Sequence, residues 1–371
     1  MSLGNTIDLG WEDILPTLAR AEDRLARLDE TLKTSPLRDG FIIRTHYLDA
    51  IASLALEGEL LHLEDLILAD VDMAVRAPSH ELVRAREYLS ARRQIADTDA
   101  GWIFSSASAR RLQKLGDRAG QGRDDADDMS GHPPTSSTFP TRLLDLNAED
   151  DLEAAFTALD SAIANARSAL ADTAPRQKNP LVNESARDQE DRFDLWRDSI
   201  NQTTHLPPTL AAALALVDWD TQQPLTHRPW LGRLIAAALL RHRGKVSTHL
   251  PCLSVGLRTT PPRQRQLGAT TGPTQRVISQ LEAIAAAADT GLADHTRWLS
   301  ARAGLLRKIV GRRSSSRLPD LVELVMKRGL VSAGMVAEEL SVSTRAALDL
   351  VEALGLRETT GRGRYRAWGI L

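Results

Sequence analysis

The stretch that decides the C-terminal fold is VSAGMVAEELSVSTRAALDLVEALGL, residues 331–356. Its apolar residues recur at helical spacing on both sides of Ser341. Ser332 and Ser343 each precede one of the two apolar segments, in the position of a helix N-cap. An amphipathic segment, residues 318–329, comes before them and ends in glycine, a common helix terminator. The pattern therefore predicts three short helices, the last two joined by a tight turn.

The final residues, LRETTGRGRYRAWGIL (356–371), predict two short strands around a Thr-Gly-Arg-Gly turn. Three helices followed by such a hairpin resemble the winged helix-turn-helix of bacterial transcription regulators. In that geometry the last helix enters the major groove of double-stranded DNA by its N-terminal residues, and the wing contacts phosphates. The predicted DNA-binding residues are Ser343, Thr344 and Arg345 on the helix, and Arg357, Arg362, Arg364 and Arg366 on the wing.

A structural or partner-binding role for this module stays open. Ala346 and Ala347 follow Arg345, and the exposed face of the predicted helix carries no Asn or Gln to read base edges. The serine-rich segment SSSRLP, residues 314–319, indicates a hinge about which the module could swing.

The rest of the chain predicts a mainly α-helical body. Aromatic residues make up only 4% of the sequence, and no segment before residue 355 has a convincing strand pattern. Residues 251–266 predict an irregular connection, and residues 274–313 predict a long helical segment in two pieces. The predicted domains are an N-terminal helical region (1–115), a flexible linker (116–142), a helical core (143–313) and the winged helix (317–371).

Charge is unevenly distributed along the chain. Residues 291–371 contain 14 Lys/Arg and 8 Asp/Glu, a net charge of +6. Because the net charge of the whole chain is −3, residues 1–290 carry a net charge of −9. This asymmetry is typical of an acidic body with a nucleic-acid-binding end. One cysteine, the absence of a long apolar run and an acidic N-terminal segment predict a cytoplasmic protein without disulfides.

Residues 49–70, DAIASLALEGELLHLEDLILAD, resemble the N-terminal region of the Fic family, enzymes that transfer AMP from ATP to protein hydroxyls. Many Fic proteins have an inhibitory helix with Ser or Thr, three residues, Glu, and then Gly or Asn. Ser53, Glu57 and Gly58 fit this pattern. The resemblance implies a helical body in which the glutamate contacts the last arginine of the Fic catalytic motif.

That motif combines a catalytic histidine, an acidic Mg²⁺ ligand, a Gly-Asn-Gly phosphate loop and a final arginine. The segment LTHRPWLGRLIAAALLRHRG, residues 225–244, resembles only its end. Arg233 would match the final arginine and His227 the histidine, but they are six positions apart instead of eleven. Because the acidic residue and the Gly-Asn-Gly loop are absent, the sequence predicts no catalytic residues, no metal site and no cofactor.

The whole chain also resembles a family from rhizobial replicons, with an N-terminal domain of unknown function and a C-terminal helix-turn-helix. The resulting hypothesis is a DNA-binding transcriptional regulator with a catalytically inactive Fic-like body, in which Glu57 and Arg233 form a structural pair. A homodimer and an unidentified effector are compatible with it, and a membrane partner is not. The alternatives are an altered Fic-type nucleotidyl transferase and a partner-binding protein that contacts no DNA.

Overall fold

The computed structural model describes residues 10–71, 78–105, 186–262, 271–311, 316–360 and 366–370. These residues are mainly α-helical, with a single small sheet, as the sequence predicted. The α-helices are α1 Trp11–Lys33, α2 Arg38–Leu56, α3 Leu63–Asp70, α4 His80–Asp97, α5 Ala186–Asn201, α6 Pro208–Gln222, α7 Leu231–His242, α8 Leu253–Thr259, α9 Pro273–Lys308, α10 Leu318–Arg328, α11 Ala333–Glu339 and α12 Thr344–Leu354. The strands are β1 Leu330–Ser332 and β2 Ala367–Gly369.

The described residues of 10–105 and 189–370 belong to one compact unit. A second unit, residues 123–188, lies almost wholly outside the described ranges, as does the predicted linker 116–142. The predicted domain boundaries therefore stay predictions. None of the helices that the structure describes is both long enough and apolar enough to cross a membrane.

The body is built around α9, which is one continuous helix of 36 residues. The prediction of two pieces was wrong. Gly291 lies inside the helix, where an added Cβ would be 2.8 Å from the Leu28 side chain and 3.3 Å from the Phe41 ring. The glycine is therefore explained by the close approach of α1 and α2 to α9.

The predicted irregular connection at 251–266 was also wrong in part, because it contains α8. The free N–H groups at the start of this short helix are satisfied from α2, where the buried Asp49 carboxylate accepts bonds from the backbone N–H groups of Ser254 (3.0 Å) and Val255 (3.2 Å). Gly256 lets α8 rest on the backbone of α9, since a Cβ there would lie 2.0 Å from the Ala283 carbonyl oxygen.

The C-terminal module has the predicted three helices, and both predicted caps are present. Ser332 Oγ accepts from the Met335 N–H and Ser343 Oγ from the Ala346 N–H, each at 3.2 Å. The strand expectation needs correction: β1 lies before residue 355 and pairs antiparallel with β2. Three residues carry too little pattern to identify β1, which exists only because β2 returns beside it.

Candidate nucleic-acid interface and a buried arginine cluster

The N-terminal end of α12 is uncovered. Ser343 caps the helix, and Ser343, Thr344 and Arg345 are all exposed. The Arg345 side chain is 87% exposed, and its Nε lies 3.4 Å from Asp349 Oδ1 one turn further along. The contact uses Nε, and a guanine in the major groove can accept two hydrogen bonds from an arginine as exposed as this one.

The opposite face of α12 fixes its orientation within the module. Ala347, Val351 and Leu354 are buried, one to two turns apart, against the other helices of the module. The helix ends at Gly355, which adopts a left-handed conformation (φ 63°) that favours glycine. Spacing along α12 alone therefore determines which residues face outward.

The wing is described only in part. Arg357 is exposed, whereas Arg366 bonds Glu358 at 2.7 and 2.8 Å and stacks over the Trp368 ring at 5.1 Å. Arg362 and Arg364 lie outside the described residues. Glu358 forms one isolated bridge with Trp368, so the described part of the predicted first wing strand is a single pairing and not a full strand.

Negative charge limits where this module can approach DNA. Residues 318–360 contain seven Asp/Glu and four Lys/Arg, and Asp349 and Glu352 are exposed on α12 itself. The three remaining arginines follow at 362, 364 and 366. Phosphate attraction is therefore concentrated at the start of α12 and in the wing.

A second feature is a cluster around Arg233, at the start of α7. Its Nη2 donates to Ser53 Oγ at 2.8 Å and lies 3.3 Å from Glu57 Oε1, and its Nε donates to Ser254 Oγ at 3.1 Å. The Arg233 and Glu57 side chains are only 14% and 17% exposed. The contact expected between Glu57 and Arg233 is thus present, as a single bond between Nη2 and Oε1.

The local sequence explains how α2 presents this pair. Ser53 and Glu57 are four residues apart, so they lie on the same face of the helix. Gly58 follows with φ 84°, in the left-handed region that favours glycine, and ends the helix there. His227 is exposed, and no bond in the described structure joins it to Arg233.

Two members of the cluster were missed by the sequence analysis. Arg84 on α4 bonds the second oxygen of Glu57 and also bonds Glu59. Ser254, at the start of α8, bridges Arg233 to the buried Tyr88 hydroxyl, 3.0 Å away. Neither residue belongs to a recognisable motif, and both come from elements distant in sequence. They could have been predicted only from knowledge of how α4 and α8 pack against α2 and α7.

The bridge through Ser254 continues into the centre of the body. Tyr88 donates to Asp49 Oδ2 at 2.6 Å, and Arg92 Nη1 donates to the same oxygen at 2.7 Å. Both members of the Asp49–Arg92 ion pair are fully buried. Burial and, next, the negative charge of Asp49 raise the pKa of Tyr88, so its hydroxyl is a neutral donor. The chain of bonds from Glu57 to Arg92 joins α2, α4, α7 and α8.

The cluster has the character of a packing element. Arg233 bonds Ser53 and Glu57 of α2, and Glu57 is shared with Arg84, so the contacts join α2, α4 and α7. Over the residues that the structure describes, no group of three His, Cys, Asp or Glu side chains is arranged to hold a metal ion.

Comparisons with known proteins give matches to two separate segments of the chain. Residues 181–310 match the family described as "Protein of unknown function (DUF1612)", and residues 318–371 match the family described as "HTH DNA binding domain". The chain is 39% identical over 359 residues to "Uncharacterized protein y4cF" of Sinorhizobium fredii, covering 93% of each chain. With a helix-turn-helix DNA-binding domain at its C-terminal end and this similarity along nearly its full length, the chain belongs to the same protein family as y4cF of Sinorhizobium fredii.

Proposed function

We propose that this protein is a transcriptional regulator that binds double-stranded DNA through its C-terminal winged helix. The observation that carries the proposal is the uncovered N-terminal end of α12, where Arg345 is exposed beside a capped helix start. A helix N-terminus favours phosphate, and an arginine there can reach a base edge in the major groove. The match of residues 318–371 to a DNA-binding family supports the same reading.

The test is selection of bound sequences from random double-stranded DNA by the full-length protein, followed by affinity measurement at several salt concentrations. We expect an enriched sequence and an affinity for it at least about a thousandfold above that for unrelated DNA. Arg345→Ala should weaken the preference at one base pair, whereas replacement of Arg307, an exposed arginine at the end of α9, by alanine should leave it unchanged. No enrichment with the wild-type protein would contradict DNA-sequence recognition.

A protein-binding winged helix is the second candidate, and the acidic surface of residues 318–360 favours it. The same experiment separates the two. If the wild-type protein binds no DNA at low salt, where electrostatic attraction is strongest, the module serves a partner.

We further propose that the Fic-like body does not transfer nucleotides. Residues 228–232, between His227 and Arg233, contain no acidic residue and no Gly-Asn-Gly loop. The side chain of Arg233 is already engaged by Ser53, Glu57 and Ser254. Without a metal ligand and a phosphate loop, the positioning and charge stabilisation needed for phosphoryl chemistry are lost.

Incubation with labelled ATP and Mg²⁺ tests this proposal. We expect no label on the protein itself or on added bystander proteins. Label that appears on wild-type protein and disappears in His227→Ala would restore the alternative of an altered nucleotidyl transferase.

A further inference from the structure

The winged helix is attached to the body through a buried arginine of α2. Arg44 is only 4% exposed, and its guanidinium donates to the carbonyl oxygens of Met326, Val325 (3.0 Å) and Ile370 (3.4 Å). The first two carbonyls belong to the last turn of α10, where the helix dipole places partial negative charge, and the Val325 oxygen also accepts from the Gly329 N–H. The third follows β2. One side chain of the body therefore binds a helix and the wing strand of the module together.

The module packs closely against α2 and α9 around Arg44. Gly40, one turn earlier on α2, touches α10 so closely that an added Cβ would lie 2.2 Å from the Met326 carbonyl oxygen. The Trp298 ring of α9 lies 4.9 Å from the Arg44 guanidinium, in cation–π contact. Gly329, with φ 80°, turns the chain directly beside Arg44 Nε. The hinge that the sequence indicates at 314–319 stays a prediction, and residues 314 and 315 lie outside the described ranges. In the described structure these contacts place the module against α2 and α9.

A second attachment reaches α12 itself. Lys308, the last residue of α9, donates from Nζ to the carbonyl oxygens of Leu354 (3.1 Å) and Gly355 (3.4 Å), at the C-terminal end of α12. A lysine at this position binds carbonyls that the helix leaves without partners and is favoured by the helix dipole. Between these two attachments, Arg302 of α9 bonds Glu323 of α10 at 3.0 Å.

All these contacts lie away from the DNA-facing end of α12. Leu354 and Arg345 are nine residues apart, so Lys308 holds one end of the helix while the other end stays exposed. The docked position therefore leaves Ser343, Thr344 and Arg345 exposed at the start of α12.

We propose that Arg44 and Lys308 are positioning residues for DNA binding: the body holds α12 at one fixed orientation, although neither residue contacts DNA. This inference rests on the proposed function. A module released from the body would have to be ordered when it binds, and the loss of freedom would reduce affinity. The body would then increase DNA affinity because it holds the winged helix in a fixed orientation.

The first experiment compares Lys308→Met with Arg307→Met in the full-length protein, using the selected DNA sequence. Both variants remove one positive charge from the end of α9, and both residues are exposed, but only Lys308 bonds α12 in the described structure. We expect Lys308→Met to lower affinity about two- to fivefold with an unchanged salt dependence, and Arg307→Met to leave affinity unchanged. A flatter salt dependence for Lys308→Met would make Lys308 a phosphate contact and overturn the positioning role.

The second experiment measures amide hydrogen exchange and DNA affinity in Arg44→Met and Arg44→Lys. We expect faster exchange at the C-terminal end of α10 in Arg44→Met, unchanged protection in α1 and in the first half of α9, and a larger loss of DNA affinity than for Lys308→Met. Arg44→Lys should restore part of the exchange protection and part of the DNA affinity, because lysine keeps a positive charge at the α10 carbonyls.

The outcomes separate the two proposals. If the wild-type protein binds no DNA, the proposed function fails. If the wild type binds and the Lys308→Met and Arg44→Met variants bind equally well, only the positioning role fails. Should Arg44→Met unfold the whole protein, the comparison of Lys308→Met with Arg307→Met decides alone.

Discussion

Arg233 Nη2 lies 3.3 Å from Glu57 Oε1, so the start of α7 is joined to the C-terminal end of α2. The same nitrogen is 2.8 Å from Ser53 Oγ, one turn earlier on α2. Both contacts therefore join two helices of the body.

The energetic role of this pair can be measured by a double-mutant cycle. Glu57→Ala and Arg233→Ala should each lower the free energy of unfolding by about 1–3 kcal/mol, because each leaves a largely buried charged partner with fewer bonds. Removing both should cost clearly less than the sum of the single changes. Denaturant unfolding gives the four values. Additive effects would show that the two side chains contribute independently.

Replacement of Ser254 should weaken the same cluster from its other side. Ser254 Oγ contacts both Arg233 and the buried Tyr88 hydroxyl, so Ser254→Ala leaves two buried polar groups short of a bond. We expect a loss of about 1–3 kcal/mol in unfolding free energy. Thr259→Ala is a matched control, since in the described structure the Thr259 hydroxyl bonds carbonyls of its own helix, α8. Equal effects of the two changes would contradict a specific role for Ser254.

Arg345 should determine base preference, and Asp349 should modulate it. Arg345→Ala should remove about 1–3 kcal/mol of discrimination at one base pair. Asp349→Asn should reduce preference at that same base pair and strengthen binding to unrelated DNA, because it frees Arg345 Nε and removes a negative charge near phosphates. Arg364→Ala should instead weaken all sequences alike and flatten the salt dependence. Selection and salt titration distinguish these patterns, and loss of preference in Arg364→Ala alone would move base reading to the wing.

Acid should destabilise the body through a buried histidine. Burial, partly opposed by Asp29, lowers the pKa of His249 to about 3, whereas in the unfolded chain it is near its ordinary value of 6.5. Between these values the unfolded state binds the proton and the folded state does not. Stability is therefore present above about pH 6.5 and falls as the pH drops towards 3, by up to about 1.4 kcal/mol per pH unit.

Unfolding free energies of the wild type and His249→Gln between pH 4 and 8 test this effect. The difference between the two should shrink or reverse as the pH falls, because glutamine does not titrate. His227→Gln is the control for an exposed histidine. Parallel pH profiles for wild type and His249→Gln would contradict the assignment.

The C-terminal module shows how far local sequence can determine structure. Ser332, Ser343 and Gly355 mark helix ends through bonds and backbone angles within a few residues, so the limits of α11 and α12 could be predicted. The apolar spacing of α12 also fixed its exposed face, and hence Arg345 as the candidate reading residue. In α2 it was the resemblance of Ser53, Glu57 and Gly58 to the inhibitory-helix pattern of Fic proteins, and not a cap or a spacing, that predicted one side of the Arg233 cluster.

What the tertiary structure decided depends on contacts between distant parts of the chain. Asp49 starts α8 from another helix, Gly291 stays helical because two neighbours pack on it, and β1 forms only by pairing with β2. Arg84 and Ser254 joined the Arg233 cluster in the same way. The attachment of the winged helix through Arg44 also depends on tertiary structure, since the partners of Arg44 are backbone carbonyls 281 to 326 residues away in the sequence. Local periodicity and helix caps determine the secondary-structure elements and their exposed faces. Every residue carries the same backbone carbonyl, so the sequence does not show which carbonyl a side chain will bind. Only the packed chain shows it.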